Sequence, residues 1–316
     1  MKPTERAKQA LAYKLVDYLC DDPENNMATI MGKIDVLAPA SLFAEQRAAF
    51  SDAIKNKTNM YQLIMRVMDL NPEVRADLLK TFIVDANFLA WGKQEKMRER
   101  HQCNIPWAIL LDPTSACNLH CTGCWAAEYG HALNLAYDEI DSIIRQGKEL
   151  GVHVYIYTGG EPLVRKRDLI RLCEAHPDCA FLCFTNSTLI DEGFCQEMIR
   201  VKNFVPAISA EGDEAATDGR RGAGTYAKVD AAMDLLASHG LPFGVSICYT
   251  SKNYKVVTSD EFLDLLISKG CFFAWYFHYM PVGMGATTDL LLNPEQRAYM
   301  KDRVRAVSYT HLRAHE

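Results

Sequence analysis

Three cysteines fall within eight residues in the stretch 115-SACNLHCTGCWAAEYG-130: Cys117, Cys121 and Cys124. Thiolates spaced C-x3-C-x2-C are ligands for a soft metal centre. A zinc site would be completed by paired C-x2-C units or by histidines. Here there is one C-x2-C unit, with His120 inside the loop as a fourth donor. An electron-transfer cluster of ferredoxin type needs a fourth cysteine, which runs such as C-x2-C-x2-C-x3-C carry locally and this stretch does not. Cys103 is the nearest candidate, at the far end of the preceding strand. Plain structural cysteines are another reading. The last is a 4Fe–4S cluster held by three thiolates, its fourth iron left open for a chelating ligand.

Five more segments carry groups of chemical interest, each in or after an apolar run. In 157-YTGGEPL, Gly159 and Gly160 allow close backbone approach and offer acceptors, and Glu161 suits an ammonium group. A simple turn after a strand is the plain alternative. In 184-FTNSTLI, Thr185 and Asn186 suit ribose hydroxyls or a substrate, or cap a helix. The stretch 207-AISAEGDEAATDGRRGAG-224 holds Ser209, Glu211, Arg220 and Arg221, unless it is merely an exposed charged loop. The runs 245-VSICYT and 275-WYFHYMPVG are rich in groups that read equally as barrel core, with His278 and Tyr279 able to face a substrate.

Taken together, the cysteine loop and the GGEP segment resemble the radical S-adenosylmethionine (radical SAM) superfamily, whose signature is C-x3-C-x-aromatic-C. The resemblance covers roughly residues 104–285. It implies that Cys117, Cys121 and Cys124 hold a 4Fe–4S cluster. It also implies that the methionyl amine and carboxylate of S-adenosylmethionine bind the open iron. Reductive cleavage would then give a 5′-deoxyadenosyl radical that takes a hydrogen atom from the substrate. By the same resemblance Gly159, Gly160 and Glu161 grip the cofactor amine, and Asn186, Ser209 and Glu211 meet the ribose and nearby polar groups. Arg221, with Arg220 as the alternative, meets the carboxylate, and Ile247 and Tyr276 pack on adenine. An external electron donor of the flavodoxin or ferredoxin type is implied. Two positions depart from the pattern: Gly123 replaces the aromatic, with Trp125 as its expected substitute, and Ser187 replaces the Gly of T-N-G. The likeness is greatest to the branch of peptide-modifying maturases and molybdopterin- and haem-pathway members, many with a C-terminal SPASM or twitch extension. A ribosomally made peptide is the first expectation for the substrate, and a lipid or small metabolite the second.

These residues need elements to hold them. Six short β-rich runs, starting near residues 107, 152, 180, 204, 243 and 271, alternate with helical stretches near 136–149, 165–175, 190–201, 225–238 and 259–268. Alternation of this kind predicts a parallel sheet of right-handed βα units, with chemistry in the loops after the strands. The fold class expected is α/β, a partial (β/α)6 TIM-like barrel. Residues 1–103 read as an all-helical region packed on the core at 104–306, with Asn71-Pro72 starting a long helix from Glu73 to about Arg100. Residues 307–316, VSYTHLRAHE, resemble a translated sequencing-library adapter and are read as a non-native tail. The natural chain is then expected to continue past Ala306, where any extension would lie.

The 316-residue chain is 49% hydrophobic and 23% charged, which fits a globular protein rather than a disordered one. A net charge of −6 without basic blocks argues against nucleic acid. No apolar run reaches the ~18–20 residues of a spanning helix, and the polar N-terminus does not read as a secretory signal. The expected location is the cytoplasm. Eleven cysteines in a reducing compartment argue for buried thiols outside the loop, not disulfides.

Overall fold

The computed structural model describes residues 3–37, 44–126, 130, 132–283 and 285–310. The described elements up to residue 101 are all helical: α1 (Pro3–Asp21), α2 (Pro23–Leu37), α3 (Ala44–Asn56), α4 (Asn59–Met68), α5 (Pro72–Leu78), a π-helical segment (Leu79–Leu89) and α6 (Ala90–His101). Asn71 caps α5 as its sequence predicts: its side-chain oxygen accepts from the Glu73 and Val74 amides at 3.1 and 3.4 Å, with Pro72 at the first position. The expected long helix is present from Pro72 to His101, but its middle is wound wider than an α-helix. The π segment holds buried Asp85 toward α1, where Gln9 Nε2 donates to it at 2.7 Å and the Tyr13 hydroxyl donates to its other oxygen. The helical region docks on the core through polar links. Gln94 donates to Gly151 O (2.8 Å), Arg66 to Ile267 O (3.0 Å), and the Asn71 amide to Gly240 O (2.9 Å).

Six parallel strands follow: β1 (Ala108–Thr114), β2 (Val154–Gly159), β3 (Ala180–Thr185), β4 (Phe204–Ala210), β5 (Gly244–Tyr249) and β6 (Ala274–His278). They pair in chain order, so β1 and β6 are the two edges and the barrel stays open between them. The helices between strands are α7 (Tyr137–Leu150), α8 (Lys166–Ala175), α9 (Glu192–Val201), α10 (Glu214–Arg221), α11 (Thr225–Ser238) and α12 (Asp260–Ser268). α10 falls inside the stretch read as a possible exposed loop. Its start signal is Asp213, whose carboxylate accepts from the Ala216 amide at 2.9 Å. After β6 comes α13 (Pro294–Thr310), which runs through residue 307; residues 311–316 of the expected tail lie outside the described residues.

The core lies between the outer face of the sheet and the helices. Tyr155, Tyr157, Phe181, Cys183, Ile208, Val245 and Ile247 point into it and are all but inaccessible to solvent. Cys173, Cys179, Cys195 and Cys271 are buried there as well, as small hydrophobes. The inner face is different: the sheet curls until the Phe184 ring of β3 lies 5.1 Å from Trp275 and 5.4 Å from Phe277, both on β6. The strands are therefore apolar on both sides for two reasons, helix packing outside and an aromatic floor inside. At the opposite end of the sheet, buried Asn203 donates to the carbonyls of Cys173 (3.1 Å), His176 (3.1 Å) and Cys179 (2.9 Å), tying the end of α8 and the turn after it to the start of β4. Asn203→Ala removes this donor from all three carbonyls, of which His176 O keeps the Cys179 amide (3.0 Å). It is expected to lower the unfolding free energy by about 2 kcal/mol, read as a lower urea midpoint at unchanged m-value.

Candidate active site

The three cysteines sit where the alternation pattern places chemistry, in the loop after β1, and all three line a cavity of about 370 Å³ at the C-terminal ends of the strands. The loop is held from below by the end of β2. The Gly160 amide donates to Thr114 O (2.9 Å) and the Glu161 amide to Ala116 O (2.8 Å). A Cβ at Gly160 would stand 2.3 and 2.5 Å from the carbonyl oxygens of Ala116 and Ser115, and one at Gly159, where φ is +108°, 2.6 Å from Thr114 O. The two glycines are thus required by the chain's own close approach, one residue ahead of Cys117, as well as lining the cavity.

Glu161 is almost fully buried at the cavity edge. Its carboxylate accepts from the Leu163 amide (2.9 Å), the Thr185 hydroxyl (2.7 Å) and the Asn186 amide (2.7 Å). Burial pushes its pKa up, and these three donors with Arg221 oppose the shift. Asn186 in turn donates to Asn118 Oδ1 at 2.9 Å, inside the cysteine loop. Ser187, in place of the pattern's glycine, has φ of +61°, the left-handed region that glycine adopts most easily, and its buried hydroxyl has no hydrogen-bond partner.

On the other side, the end of β4 places Ser209, which lines the cavity, and just past the strand comes Glu211, which does not. Glu211 is wholly buried and takes both neighbouring arginines: Arg221 donates through Nε (2.8 Å) and Nη2 (2.6 Å), and Arg220 through Nη1. Asn253 adds a donation to the Glu211 carbonyl at 3.0 Å. Two guanidinium groups against one carboxylate leave one net positive charge at the cavity wall, where both arginines are exposed to it. The Arg220 carbonyl also accepts from the Thr122 amide at 2.8 Å, so the end of α10 braces the cysteine loop. Burial pushes the thiols of Cys117 and Cys121 up; for Cys121 the two arginines pull the other way.

Several expected residues are placed elsewhere. Glu211 orients the arginines and does not face the cavity itself. Ile247 and Tyr276 point away from it: Ile247 is buried among the helices, and the Tyr276 hydroxyl donates to Val257 O (2.7 Å). The inward residues are one position off, Ser246 and Cys248 on β5 and Phe277 on β6. The pairing register carries this information: Ser209 lies opposite Ser246 and Ser246 opposite Trp275, whereas Ala210, Ile247 and Tyr276 share the other face. Thr158, Phe184 and Leu110 also line the cavity and were not singled out. Trp125, His278 and Tyr279 do line it. Cys103 is exposed before β1, at the opposite end of the sheet, and His120 is exposed and not among the lining residues. Three loop thiols on one wall beside a net positive patch fit a cluster with an anionic chelator.

The radical SAM superfamily model matches residues 111–266, which run from within β1 through β5 to α12 and include the three cysteines, Glu161 and the arginine pair. The chain carries a radical SAM domain and is a member of that superfamily, and hence of a class of enzymes whose members in general bind S-adenosylmethionine and a 4Fe–4S cluster. Among curated relatives it is 26% identical over 192 residues to an AdoMet-dependent heme synthase of Methanosarcina barkeri, covering 59% of this chain and 54% of that protein. Among solved structures it resembles Streptococcus suis SuiB bound to S-adenosylmethionine, with a TM-score of 0.59 at 19% identity, covering 69% of this chain and 51% of that one. SuiB is also known bound to its precursor peptide SuiA, with a TM-score of 0.58 at 19% identity, covering 69% of this chain and 50% of that one. anSMEcpe with bound AdoMet and Cp18Cys peptide matches with a TM-score of 0.54 at 20% identity, covering 64% and 59%. The chain thus spans about half the length of these proteins. No described helix is long and apolar enough to cross a membrane.

Gly160→Ala must displace the carbonyls of residues 115 and 116, and is expected to lose most of the iron taken up on reconstitution while the chain stays folded by circular dichroism. Because the Cys117 and Cys121 thiols are pushed up, ligation must displace protons from them. Iron uptake is therefore expected to increase from about pH 7 to about pH 9, followed by absorbance under anaerobic titration.

Proposed function

We propose that this chain is a radical SAM enzyme whose cysteine loop carries a 4Fe–4S cluster and whose substrate is a peptide presenting an apolar side chain. The observation that carries the reading is the convergence of Cys117, Cys121 and Cys124 with the Arg220–Arg221 pair on one cavity. When bound, cluster and cofactor supply reductive cleavage of S-adenosylmethionine and hydrogen-atom abstraction from the substrate. The residues of the chain bind and orient. Arg220 and Arg221, turned by Glu211, present the net positive charge that suits a carboxylate. Glu161 and the carbonyls beside it suit an ammonium group, Ser209 and Asn186 a ribose. Phe184, Phe277 and Leu110 line the apolar part, where a side chain would be held away from water. An external electron donor of flavodoxin or ferredoxin type, a cytoplasmic location and a SPASM/twitch-like branch go with this reading.

The peptide assignment draws support from structural neighbours solved with bound peptides. The same aromatic floor would also accommodate a flat tetrapyrrole, and the relative named as a heme synthase favours that second reading.

Anaerobic reconstitution followed by S-adenosylmethionine and dithionite is expected to yield 5′-deoxyadenosine, and Cys121→Ala is expected to yield none. Cys248→Ala is expected to keep its iron. Loss of the cluster in Cys248→Ala would instead point to a four-cysteine electron carrier, and one zinc with no iron to a zinc-stabilised binding module. Perdeuterated apolar peptides are expected to transfer deuterium into 5′-deoxyadenosine; label arriving only from a porphyrin or a lipid would overturn the peptide assignment.

A further inference from the structure

The segment leaving β6 crosses the cysteine loop and meets it twice where a side chain is missing. Gly123, with φ of +68°, faces the Tyr279 ring: a Cβ there would stand 2.7 Å from the hydroxyl oxygen, 2.8 Å from Cε2 and 3.0 Å from Cζ. Gly283, with φ of +90°, faces Trp125: a Cβ there would stand 3.1 Å from its carbonyl oxygen and 3.4 Å from its Cα. Between these contacts Tyr279 is anchored from both sides. Its amide donates to Tyr249 O (3.2 Å) on β5, and its hydroxyl accepts from the Thr287 amide (3.2 Å). The side chain is 2% exposed although it borders the cavity. The turn it covers is short, closed by the Cys124 amide donating to Cys121 O at 3.2 Å.

We propose that Tyr279 is the positioning residue of the cysteine loop. Its ring occupies the volume a side chain at position 123 would take, and so fixes the turn from Cys121 to Cys124 from the far edge of the sheet. The loop is then clamped between β2, through Gly160, and the β6 exit, through Tyr279. Such a clamp sets where the second and third thiols point without Tyr279 ligating anything. This rests on the cluster reading only for its consequence at the metal; the contact itself belongs to the chain.

The test is amide exchange by mass spectrometry on the whole chain, metal-free and reconstituted with iron and sulfide. Tyr279→Ala is expected to speed exchange across residues 117–126 by at least about tenfold, with the sheet unchanged. Tyr279→Phe keeps the ring and is expected to restore protection. Gly123→Ala, which must push the ring away, is expected to loosen both partners, and the double variant with Tyr279→Ala to loosen them by less than the sum of the two. In the reconstituted chain Tyr279→Ala is expected to shift the cluster's reduction potential, and Tyr279→Phe to leave it as in wild type. Wild-type protection in Tyr279→Ala, or equal loosening in Tyr279→Phe, overturns the proposal. A wild type that takes up no iron overturns the cluster reading instead, and the metal-free exchange alone then decides the role of Tyr279.

Discussion

The ends of β1 and β2 meet with no side chain between them, and the site depends on that contact. Backbone amides of residues 160 and 161 continue the sheet's hydrogen bonding past its last paired residues and into the loop that carries Cys117. From there a circuit of polar links runs outward. The Glu161 carboxylate reaches Thr185 at the end of β3 and Asn186 just past it, Asn186 returns to Asn118, and Asn118 donates to Thr188 at 2.8 Å. Each link is a backbone or short side-chain bond of well-defined direction, so three strand ends and one loop move as a unit. Buried polar groups arranged this way are worth having only when every member is satisfied. The one member that is not, the Ser187 hydroxyl, sits at the position where this chain departs from the T-N-G pattern.

The opposite wall is organised by charge. A buried carboxylate facing two guanidinium groups is poor evidence of stability, because desolvation offsets most of the attraction. Its value here is direction: Glu211 fixes two long, flexible side chains against the cavity wall, and Asn253 fixes Glu211. At the same helix end the Arg220 carbonyl accepts from the Thr122 amide of the cysteine loop. Both cations and the brace on the loop thus sit at the end of one short element, α10, and a ligand drawn to the positive patch arrives beside Cys121.

The order and type of the core elements were legible because the period changes cleanly from helix to strand along the chain, and the glycines and cysteines punctuate strand ends. Two things were not. Facing is set by strand register, and apolar residues on both faces of β5 and β6 hide it. Ile247 and Tyr276 look as suitable as Ser246 and Phe277 until the partner strand is known. Burial is the other: Glu211 and Glu161 read as cavity carboxylates, yet Glu161 is largely taken up by donors at the end of β3 and Glu211 by the two arginines at the end of α10. The helix at 214–221 was announced by Asp213 and masked by the glycines and charges around it.

The wide turn between Leu79 and Leu89 has a consequence for how this family member can vary. A π segment is what remains when one extra residue is accommodated in an α-helix without unwinding its neighbours. Each residue of an α-helix turns the chain by about 100°. Losing a single residue there would straighten the winding and swing Asp85 away from Gln9 and Tyr13, unhooking the leading helix from the rest. The length of this stretch is thus held by geometry rather than by any one side chain. Substitutions should accumulate in it far more freely than insertions or deletions.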